Sequence, residues 1–315
     1  MLLSVIIPVY NNSLSLGGCI DSFRTMGDIS QRVEFVVVDD GSKQFTSPEG
    51  CNVIHTEHRG AAAARNEGIA AATGRFVWFF DADDKLRSDT ILDLLHILER
   101  LPDDTDLFHT GDMVALSDDT MQLPKSSVEL SATKRVLSQE LFVPRTSYLD
   151  HTTYIVSRRL LCDNGQLRYP PISILEDSLF MLRLLEVADK IYVNETIRPY
   201  LRKTYLESLT AGAWDVERCN RFVPDICYFF DFYGSYLRRH SEIVSGAACY
   251  RRLRYVYMRV LSVKGCPWPL IKVFRTASSG AFPIAGIKER LMFTPAVSLT
   301  ISFLCRIFRK RKQSC

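Results

Sequence analysis

Several common functional signatures are missing from this sequence. No C-x-x-C pair occurs, and the nine cysteines are scattered along the chain. That pattern favours reduced intracellular thiols over a disulfide framework or a zinc site. No G-x-G-x-x-G follows a strand-like run and no G-x-x-x-x-G-K-[ST] occurs anywhere, which argues against a dinucleotide-binding fold and a P-loop.

A long apolar run and a secretory signal are also lacking. Residues 291–305 are apolar, but Pro295 interrupts them and they fall short of the roughly 20 residues that span a membrane. The N-terminal MLLSVIIPVY has no basic region and no small-residue cleavage site, and it soon reaches Pro8. We interpret it as a first strand and not as a signal peptide.

Acidic residues are scarce in the last quarter of the chain. The net charge is only +3, but residues 238–315 hold sixteen Lys and Arg against two acids, a balance of +14. The remainder therefore carries −11. Such segregation indicates two zones with different partners.

The first hundred residues alternate between strand-like and helix-like patterns. Apolar runs rich in β-branched residues predict strands at 4–9, 33–38, 52–54 and 75–80, and helical spacing predicts helices at 14–23, 61–72 and 88–101. Asn11, Asn12 and Ser13 are expected to cap the first helix. With 47% hydrophobic residues, the chain can bury a sizeable core. The pattern predicts an α/β fold with a mainly parallel sheet.

Polar residues follow three of the predicted strands. They are Tyr10-Asn11, Asp39-Asp40 and Asp81-Ala82-Asp83. In open α/β sheets, ligands bind beyond the carboxyl ends of the strands. We therefore expect these three strand ends to converge on one site.

Asp81 and Asp83 form a D-x-D pattern after the buried-looking run WFF. Two carboxylates at a strand end can share a Mg²⁺ ion whose other ligands are phosphate oxygens and water. The alternative is a solvated turn, because D-x-D alone is common. Asp84 and Lys85 are expected to be solvent-facing turn residues.

Three further stretches each admit a structural and a functional interpretation. Asp39-Asp40-Gly41-Ser42 is either a strand-to-turn exit or a carboxylate site for a base or ribose. Residues 58–66 are either an ordinary helix start or a close approach to a ligand, with Arg65 meeting a phosphate. Glu176-Asp177 either caps a helix or supplies a general base.

Taken together and in order, these motifs resemble glycosyltransferase family 2. The segments that carry the resemblance are SVIIPVYNN, VVVDDGS, RGAAAARNEGI, GRFVWFFDADD and LEDSLF. The resemblance extends over about residues 3–210. It implies a GT-A fold, which is Rossmann-like with a mainly parallel central sheet flanked by helices. A nucleotide-sugar-binding half would occupy 1–110 and an acceptor-side half 111–212, followed by a mostly helical, basic region at 213–315.

The resemblance implies roles for the residues at the first two strand ends. Pro8, Val9 and Tyr10 would line the nucleotide base, with Tyr10 stacking on it. Asp39 would bond the base or ribose, and Asp40 would lie beside it.

The other donor-site residues follow from the resemblance in the same way. Arg65 would lie near the nucleotide, and Asp81, with Ala82 next to it, would contact ribose or a metal-bound water. Asp83 would coordinate Mg²⁺ or Mn²⁺ at the diphosphate. Arg202 would contact the diphosphate, although an extra residue separates it from Tyr200.

The implied activity is an inverting, metal-dependent hexosyl or N-acetylhexosaminyl transfer. Asp177 would be the catalytic base and Glu176 would orient it or the acceptor. The donor is expected to be a UDP-sugar, and the acceptor a lipid-linked glycan of a bacterial capsule, O-antigen or exopolysaccharide. Residues 147–154 lack the tryptophan often found there in the family, so acceptor specificity is not carried over.

The basic tail suggests where such an enzyme works. Residues 300–312 interleave apolar and basic side chains, which favours an anionic membrane surface over nucleic acid and over a solvated tail. We expect a cytoplasmic protein, peripheral on the inner face of the cell membrane. The alternatives are a sugar-phosphate nucleotidyltransferase and a non-catalytic, membrane-associated sugar-nucleotide-binding protein.

Overall fold

The computed structural model describes residues 1–25, 27–111, 114–115, 131–132, 150–163, 167–194, 196–202 and 215–239 of the chain. The chain divides into two compact units, Met1–Leu137 with Thr146–Tyr205, and Ser138–Arg145 with Leu206–Cys315. The functional division at residue 212 that the sequence indicates stays a prediction. Every candidate site residue lies in the first unit.

Eleven described strands form two sheets in the first unit. They are β1 (Leu3–Val9), β2 (Val33–Asp39), β3 (Asn52–His55), β4 (Phe76–Phe79), β5 (Lys85–Leu86), β6 (Leu107–Thr110), β7 (Val114–Ala115), β8 (Ser131–Ala132), β9 (Tyr154–Ser157), β10 (Ile191–Asn194) and β11 (Tyr200–Arg202). The large sheet has the order β3-β2-β1-β4-β9-β6-β10-β8, and the small one β5-β11-β7. In the large sheet only β8 and β9 run antiparallel to their neighbours, which confirms the predicted mainly parallel sheet.

Helices of the first unit flank this sheet as the sequence predicts. The first unit contains α1 (Ser13–Arg24), α2 (Ala61–Ala71), α3 (Ile91–Arg100), α4 (Arg158–Asp163) and α5 (Glu176–Val187), and the second contains α6 (Val216–Arg239). Short 3-10 helices cover Ser88–Thr90 and His151–Thr153. Among the described helices none is long and apolar enough to cross a membrane. The predicted membrane-associating tail lies outside the described residues.

The interior explains why the predicted strands are almost entirely apolar. Nearly every residue of β1, β2 and β4 is buried, as expected for parallel strands covered on both faces. Helix α2 packs closely on this sheet at Gly68, where a Cβ atom would lie only 2.3 Å from Ile6 Cγ2. Only glycine permits that approach, and it fixes α2, with Arg65, against the strands that end at the site.

The side chains expected to cap α1 have another use, so that prediction was wrong. Asn12 precedes the helix but makes no capping hydrogen bond. Asn11 Oδ1 accepts from the Lys43 amide at 2.9 Å, and Ser13 Oγ accepts from the Thr46 amide at 3.3 Å. These groups therefore tie the loop after β2 to the loop after β1.

Candidate active site

The carboxyl ends of β1, β2 and β4 lie at one edge of the large sheet. Val9 is opposite Asp39 in the parallel register, and the Asp40 amide donates to the Val9 carbonyl at 2.9 Å. Strand β4 pairs with the side of β1 opposite to β2. The strand order therefore reverses at this point, because β2 and β3 lie on one side of β1 and β4 lies on the other. This is the position at which open α/β sheets bind ligands.

Asp39 is almost fully buried at this edge and fixes the turn that follows β2. Its Oδ1 accepts from the Ser42 amide at 3.0 Å, and its Oδ2 lies 3.0 Å from His55 Nδ1. Burial alone would raise the pKa of Asp39, but the hydrogen bonds from Ser42 and His55 hold it below the usual value. Asp39 is therefore ionised, and its two carboxylate oxygens already contact Ser42 and His55.

Asp40 accepts hydrogen bonds from the loop that leads into α2. Its carboxylate accepts from the amides of Arg59 and Gly60 and from His58 Nδ1, each at 2.8 Å. A helix start offers its amides to anions, and here an internal carboxylate occupies the amide of Gly60, the residue before α2. Asp40 thereby fixes the loop 58–60, and a ligand at this helix start stays a prediction.

Tyr10 remains available for a stacking contact. Its ring lies parallel to that of His58, with 4.0 Å between centroids and 16° between planes, and 45% of the residue is exposed. Pro8 is half-buried. The Val9 side chain, by contrast, belongs to the hydrophobic core, so any contact of Val9 with a base would use its backbone.

Arg65 joins two carboxylates that are distant in the sequence. Its guanidinium donates from Nη2 to Asp81 Oδ1 at 2.9 Å and from Nη1 to Glu176 Oε1 at 3.0 Å. It also lies 5.3 Å from the centre of the Tyr169 ring. Arg65 is only 5% exposed, so this is a buried cation with two fixed anions. It connects the end of β4 with the first turn of α5.

The pKa values of Glu176 and Asp81 differ in direction, although both carboxylates pair with Arg65. Burial and the neighbouring Asp177 carboxylate raise the pKa of Glu176 to about 7, against the opposing effect of Arg65. Burial would also raise the pKa of Asp81, but Arg65, His151 and Arg202 keep it below the usual value. Asp81 is therefore a fixed anion near neutral pH, whereas Glu176 titrates there.

The first turn of α5 is shaped by an unusual backbone and not by a capping side chain. Leu175, the residue before the helix, has φ +64°, and no side chain caps the helix. The Asp177 carboxylate instead accepts from the adjacent Ser178 amide at 2.6 Å. A non-glycine residue in this left-handed region costs about 1–2 kcal/mol, and such strain concentrates at functional sites. The N-cap residue itself supplies no side-chain hydrogen bond, but Glu176 and Asp177 lie in the first turn, where acids also favour the positive helix end.

Asp84 is not a solvent-facing turn residue, so that expectation was wrong. It is 3% exposed, and its Oδ2 accepts from the Tyr200 hydroxyl at 2.6 Å. The same hydroxyl accepts from the Asp81 amide at 3.2 Å. Strand β5 pairs with β11 directly after this turn, which places Asp84 under Tyr200. Lys85 is exposed, as expected.

Arg202 lies at the same corner with two acidic neighbours. Its Nη1 is 2.9 Å from Asp150 Oδ2, and its Nε is 3.9 Å from Asp84 Oδ2. Asp150 also accepts from the amide and hydroxyl of Thr152. The Arg202 side chain is 37% exposed, so it presents positive charge at the surface of the corner.

Three buried polar groups surround the Arg65 ion pairs without a hydrogen bond of their own. Within the described residues these are Arg65 Nε, both ring nitrogens of His151 and the Tyr169 hydroxyl. Burial, together with the Arg65 charge, lowers the pKa of His151 against the opposing effect of Asp81. Buried polar atoms normally have partners, and these three groups lie beside the Arg65 ion pairs.

The carboxylates of the D-x-D corner fit a metal ion that is shared with a ligand. Among the described residues, no group of three or more His, Cys, Asp or Glu side chains is arranged to hold a metal alone. Mg²⁺ commonly takes only one or two protein carboxylates and completes its shell with phosphate and water. Asp81 is paired with Arg65, Asp84 is buried and Asp83 is half-buried, and the assignment of Asp83 as the metal ligand stays a prediction.

Sequence reasoning missed part of this site. Asp150 carried a detectable signal, since Asp followed two residues later by Thr favours a local side-chain turn. Tyr200 was noted only for its spacing from Arg202, and its contact with Asp84 was not predicted. His151 and Tyr169 carried no signal, because their neighbours at the site lie far away in the sequence.

Comparisons with known proteins agree with this architecture. The family model described as glycosyl transferase family 2 matches residues 4–126. The chain is similar to the glycosyltransferase GlyG of Streptococcus pneumoniae serotype 4 (34% identical, covering 29% of this chain and 33% of GlyG). It is also similar to the uncharacterized glycosyltransferase EpsJ of Bacillus subtilis (28% identical, covering 60% and 58%). A third relative is the minor teichoic acid biosynthesis protein GgaB of Bacillus subtilis (26% identical, covering 33% and 13%).

These matches reach only part of each curated relative, between 13% and 58% of its length. Two solved structures cover nearly the whole chain. S. aureus TarS 1-349 in complex with UDP-GlcNAc has a TM-score of 0.57 at 18% identity, covering 99% of this chain and 92% of TarS 1-349. The mannosyltransferase PcManGT from Pyrobaculum calidifontis, in complex with GDP-Man and Mn²⁺, has a TM-score of 0.50 at 16% identity, covering 98% and 87%. At such identities the likeness shows a common fold alone. Residues 4–126 therefore carry a glycosyl transferase family 2 domain, in a chain that shares its fold with TarS and PcManGT.

Proposed function

We propose that this protein is a metal-dependent, inverting glycosyltransferase. It takes a sugar from a nucleoside diphosphate, expected to be UDP, and adds it to a hydroxyl group of a lipid-linked glycan that becomes part of a bacterial surface polysaccharide. The main support is the Arg65 guanidinium, which joins Asp81 at the donor edge to Glu176 at the start of α5. That contact holds the first turn of α5, which carries the proposed base Asp177, beside the end of β4, which leads to Asp83.

Each part of the reaction has a candidate group in this arrangement. Tyr10 and Asp39 hold the base and ribose, while Asp81 and Asp83 lie on the diphosphate side. The acceptor hydroxyl must lose a proton as it attacks the anomeric carbon, and a carboxylate within hydrogen-bond reach takes it. Asp177 is the proposed base, because Glu176 is already held by Arg65. A single displacement of this kind inverts the anomeric centre.

The donor site fits a leaving group with high negative charge. A divalent cation held by Asp83 and by the diphosphate oxygens would neutralise the charge that develops as the bond to the sugar breaks. Arg202 adds positive charge at the same corner. The PcManGT complex, which contains Mn²⁺ and GDP-Man, and the TarS complex with UDP-GlcNAc support the proposed donor chemistry.

A donor screen tests the proposal directly. The melting temperature of the full chain is measured with a panel of nucleotide sugars and nucleoside diphosphates, with and without Mn²⁺. A ligand at a hundred times its dissociation constant stabilises a protein by about 2.7 kcal/mol, so one nucleotide should produce a clear shift that depends on Mn²⁺.

Two variants make the screen specific for the proposed site. Asp83→Asn should lose the Mn²⁺-dependent part of the shift. Asp103→Asn, which removes an equally charged but fully exposed carboxylate, should retain it. If no nucleotide shifts the wild-type protein, or if both variants behave alike, the proposal is wrong.

A further inference from the structure

Asn66 follows Arg65 on α2 and contacts a different segment. Its Nδ2 donates to the Tyr169 carbonyl at 3.0 Å, and its Oδ1 accepts from the Tyr169 amide at 2.8 Å. One side chain thus pairs both polar backbone groups of a residue 103 positions later. Tyr169 is only 3% exposed, so water cannot easily replace either bond.

The ring of Tyr169 connects this hydrogen-bonded residue with helix α5. It stacks on Phe180 with 3.9 Å between centroids and 14° between planes, and Phe180 lies three residues after Asp177 on the same helix. The opposite neighbour is the Arg65 guanidinium, 5.3 Å from the ring centre. The Tyr169 ring therefore contacts both Arg65 of α2 and Phe180 of α5.

We propose that Asn66 is a positioning residue for the glycosyl transfer described above, on which this inference rests. By fixing Tyr169 it sets the distance between the first turn of α5, with Glu176 and Asp177, and the D-x-D corner. Its hydrogen bonds are to backbone and not to the groups assigned to the donor, so its removal should affect turnover and spare nucleotide binding. A displacement of about 1 Å at a reacting group can cost about a hundredfold in rate.

The test compares Asn66→Ala with a matched control. Asp106 is likewise buried and accepts from the backbone amides of Asp189 and Lys190 at 2.8 and 3.0 Å. It lies before β6, and therefore at the amino-end edge of the sheet, away from the site. Asp106→Ala removes a similar side-chain-to-backbone clamp there, together with the ion pair to Arg159 at 2.7 Å, so it is at least as severe a change. The full chain is used throughout, with the nucleotide sugar selected by the donor screen as substrate and its nucleoside diphosphate plus Mn²⁺ as the binding probe.

The expected result separates kcat from binding. Asn66→Ala should lower kcat by about 10- to 100-fold while the nucleotide affinity stays near wild type, and Asp106→Ala should retain kcat. Amide hydrogen exchange in residues 167–180 should accelerate in Asn66→Ala only. Asn66→Asp adds a second readout, because a protonated carboxyl can both donate and accept. Its activity relative to wild type should rise as the pH is lowered.

Different outcomes overturn different statements. If Asn66→Ala keeps the kcat of an active wild-type protein, or if Asp106→Ala loses as much, Asn66 does not position the site. Unchanged hydrogen exchange at 167–180 would show that the clamp itself is not needed. A wild-type protein that neither binds nucleotides nor transfers sugar would overturn the proposed function, and with it the catalytic part of this inference.

Discussion

Replacing Arg65 by glutamine tests the central contact of the site. The substitution removes a 5%-exposed cation and leaves Asp81 and Glu176 without their shared partner. Breaking a buried ion pair by removing one member costs about 3–5 kcal/mol. We therefore expect Arg65→Gln to lose about 3–5 kcal/mol of unfolding free energy at pH 8, where both carboxylates are ionised.

The loss should depend on pH in a definite direction. The pKa of Glu176 is about 7 in the folded wild-type protein, above its value in the unfolded chain. Ionisation of Glu176 therefore lowers the stability of the fold as pH rises through 7, and Arg65 limits that loss. At pH 6 Glu176 is mostly protonated and needs no cation, so only Asp81 is left unpaired. The cost of Arg65→Gln should be smaller at pH 6 than at pH 8 by about 1 kcal/mol, the equivalent of roughly one pKa unit.

Urea unfolding followed by tryptophan fluorescence measures this, because Trp78 is fully buried. The control is Arg59→Gln. Arg59 pairs with Glu67 at 2.7 Å, a distance similar to that of the Arg65 pairs, but both side chains are exposed by more than 40%. A surface pair of this type contributes at most about 1 kcal/mol. Equal losses for the two variants, or a loss for Arg65→Gln that does not grow from pH 6 to pH 8, would refute the reasoning.

Three further predictions concern the base, the corner and the tail. Asp177→Asn should lower transfer by at least about a hundredfold with donor binding kept, and normal turnover would remove Asp177 as the base. Tyr200→Phe removes the hydroxyl shared by Asp84 and the Asp81 amide and should cost about 1–3 kcal/mol in urea unfolding. Tyr192→Phe, on half-buried β10, should cost less, and an equal cost would contradict the role of Tyr200. Deleting residues 300–315 should abolish co-sedimentation with anionic vesicles, and retained binding would mean that the anchor lies elsewhere.

Local sequence was enough to predict the strands and helices of the donor half. Apolar periodicity and turn residues give β1, β2, β4 and α2 to within one residue at each end, because these patterns follow directly from burial. The helix predicted at 88–101 begins with a 3-10 turn at Ser88–Thr90, and α3 itself starts at Ile91. The carboxyl-end clustering of Tyr10, Asp39 and Asp81 follows from the rule that parallel strands end at the same edge. Glu176 and Asp177 were found through a family resemblance, since spacing alone favoured a capping role for them.

The predictions for Asp84 and Asn12 were wrong for the same physical reason. Asp84 was expected in solvent because a charged residue in a turn is usually exposed, and nothing local reveals that Tyr200 covers it. Asn12 was expected to cap α1, although the loop 41–46 takes the polar groups around it. In both cases a tertiary partner replaced a local one. Pairings across more than 100 residues leave no periodic trace in a single sequence.

The same long-range pairings have a consequence for how the protein is made in the cell. Asp84 and the Tyr200 hydroxyl are 116 residues apart, and a ribosome adding about 5–20 residues per second needs roughly 6–23 s to cross that interval. During this time the donor half has emerged with Asp84 and Arg65 lacking their acceptor-side partners. A nascent chain stalled near residue 126, where the family match ends, would carry the D-x-D corner but neither Glu176 nor Tyr200. The donor site is therefore completed late in synthesis. We expect a fragment that ends near residue 126 to bind nucleotide with lower affinity than the full chain.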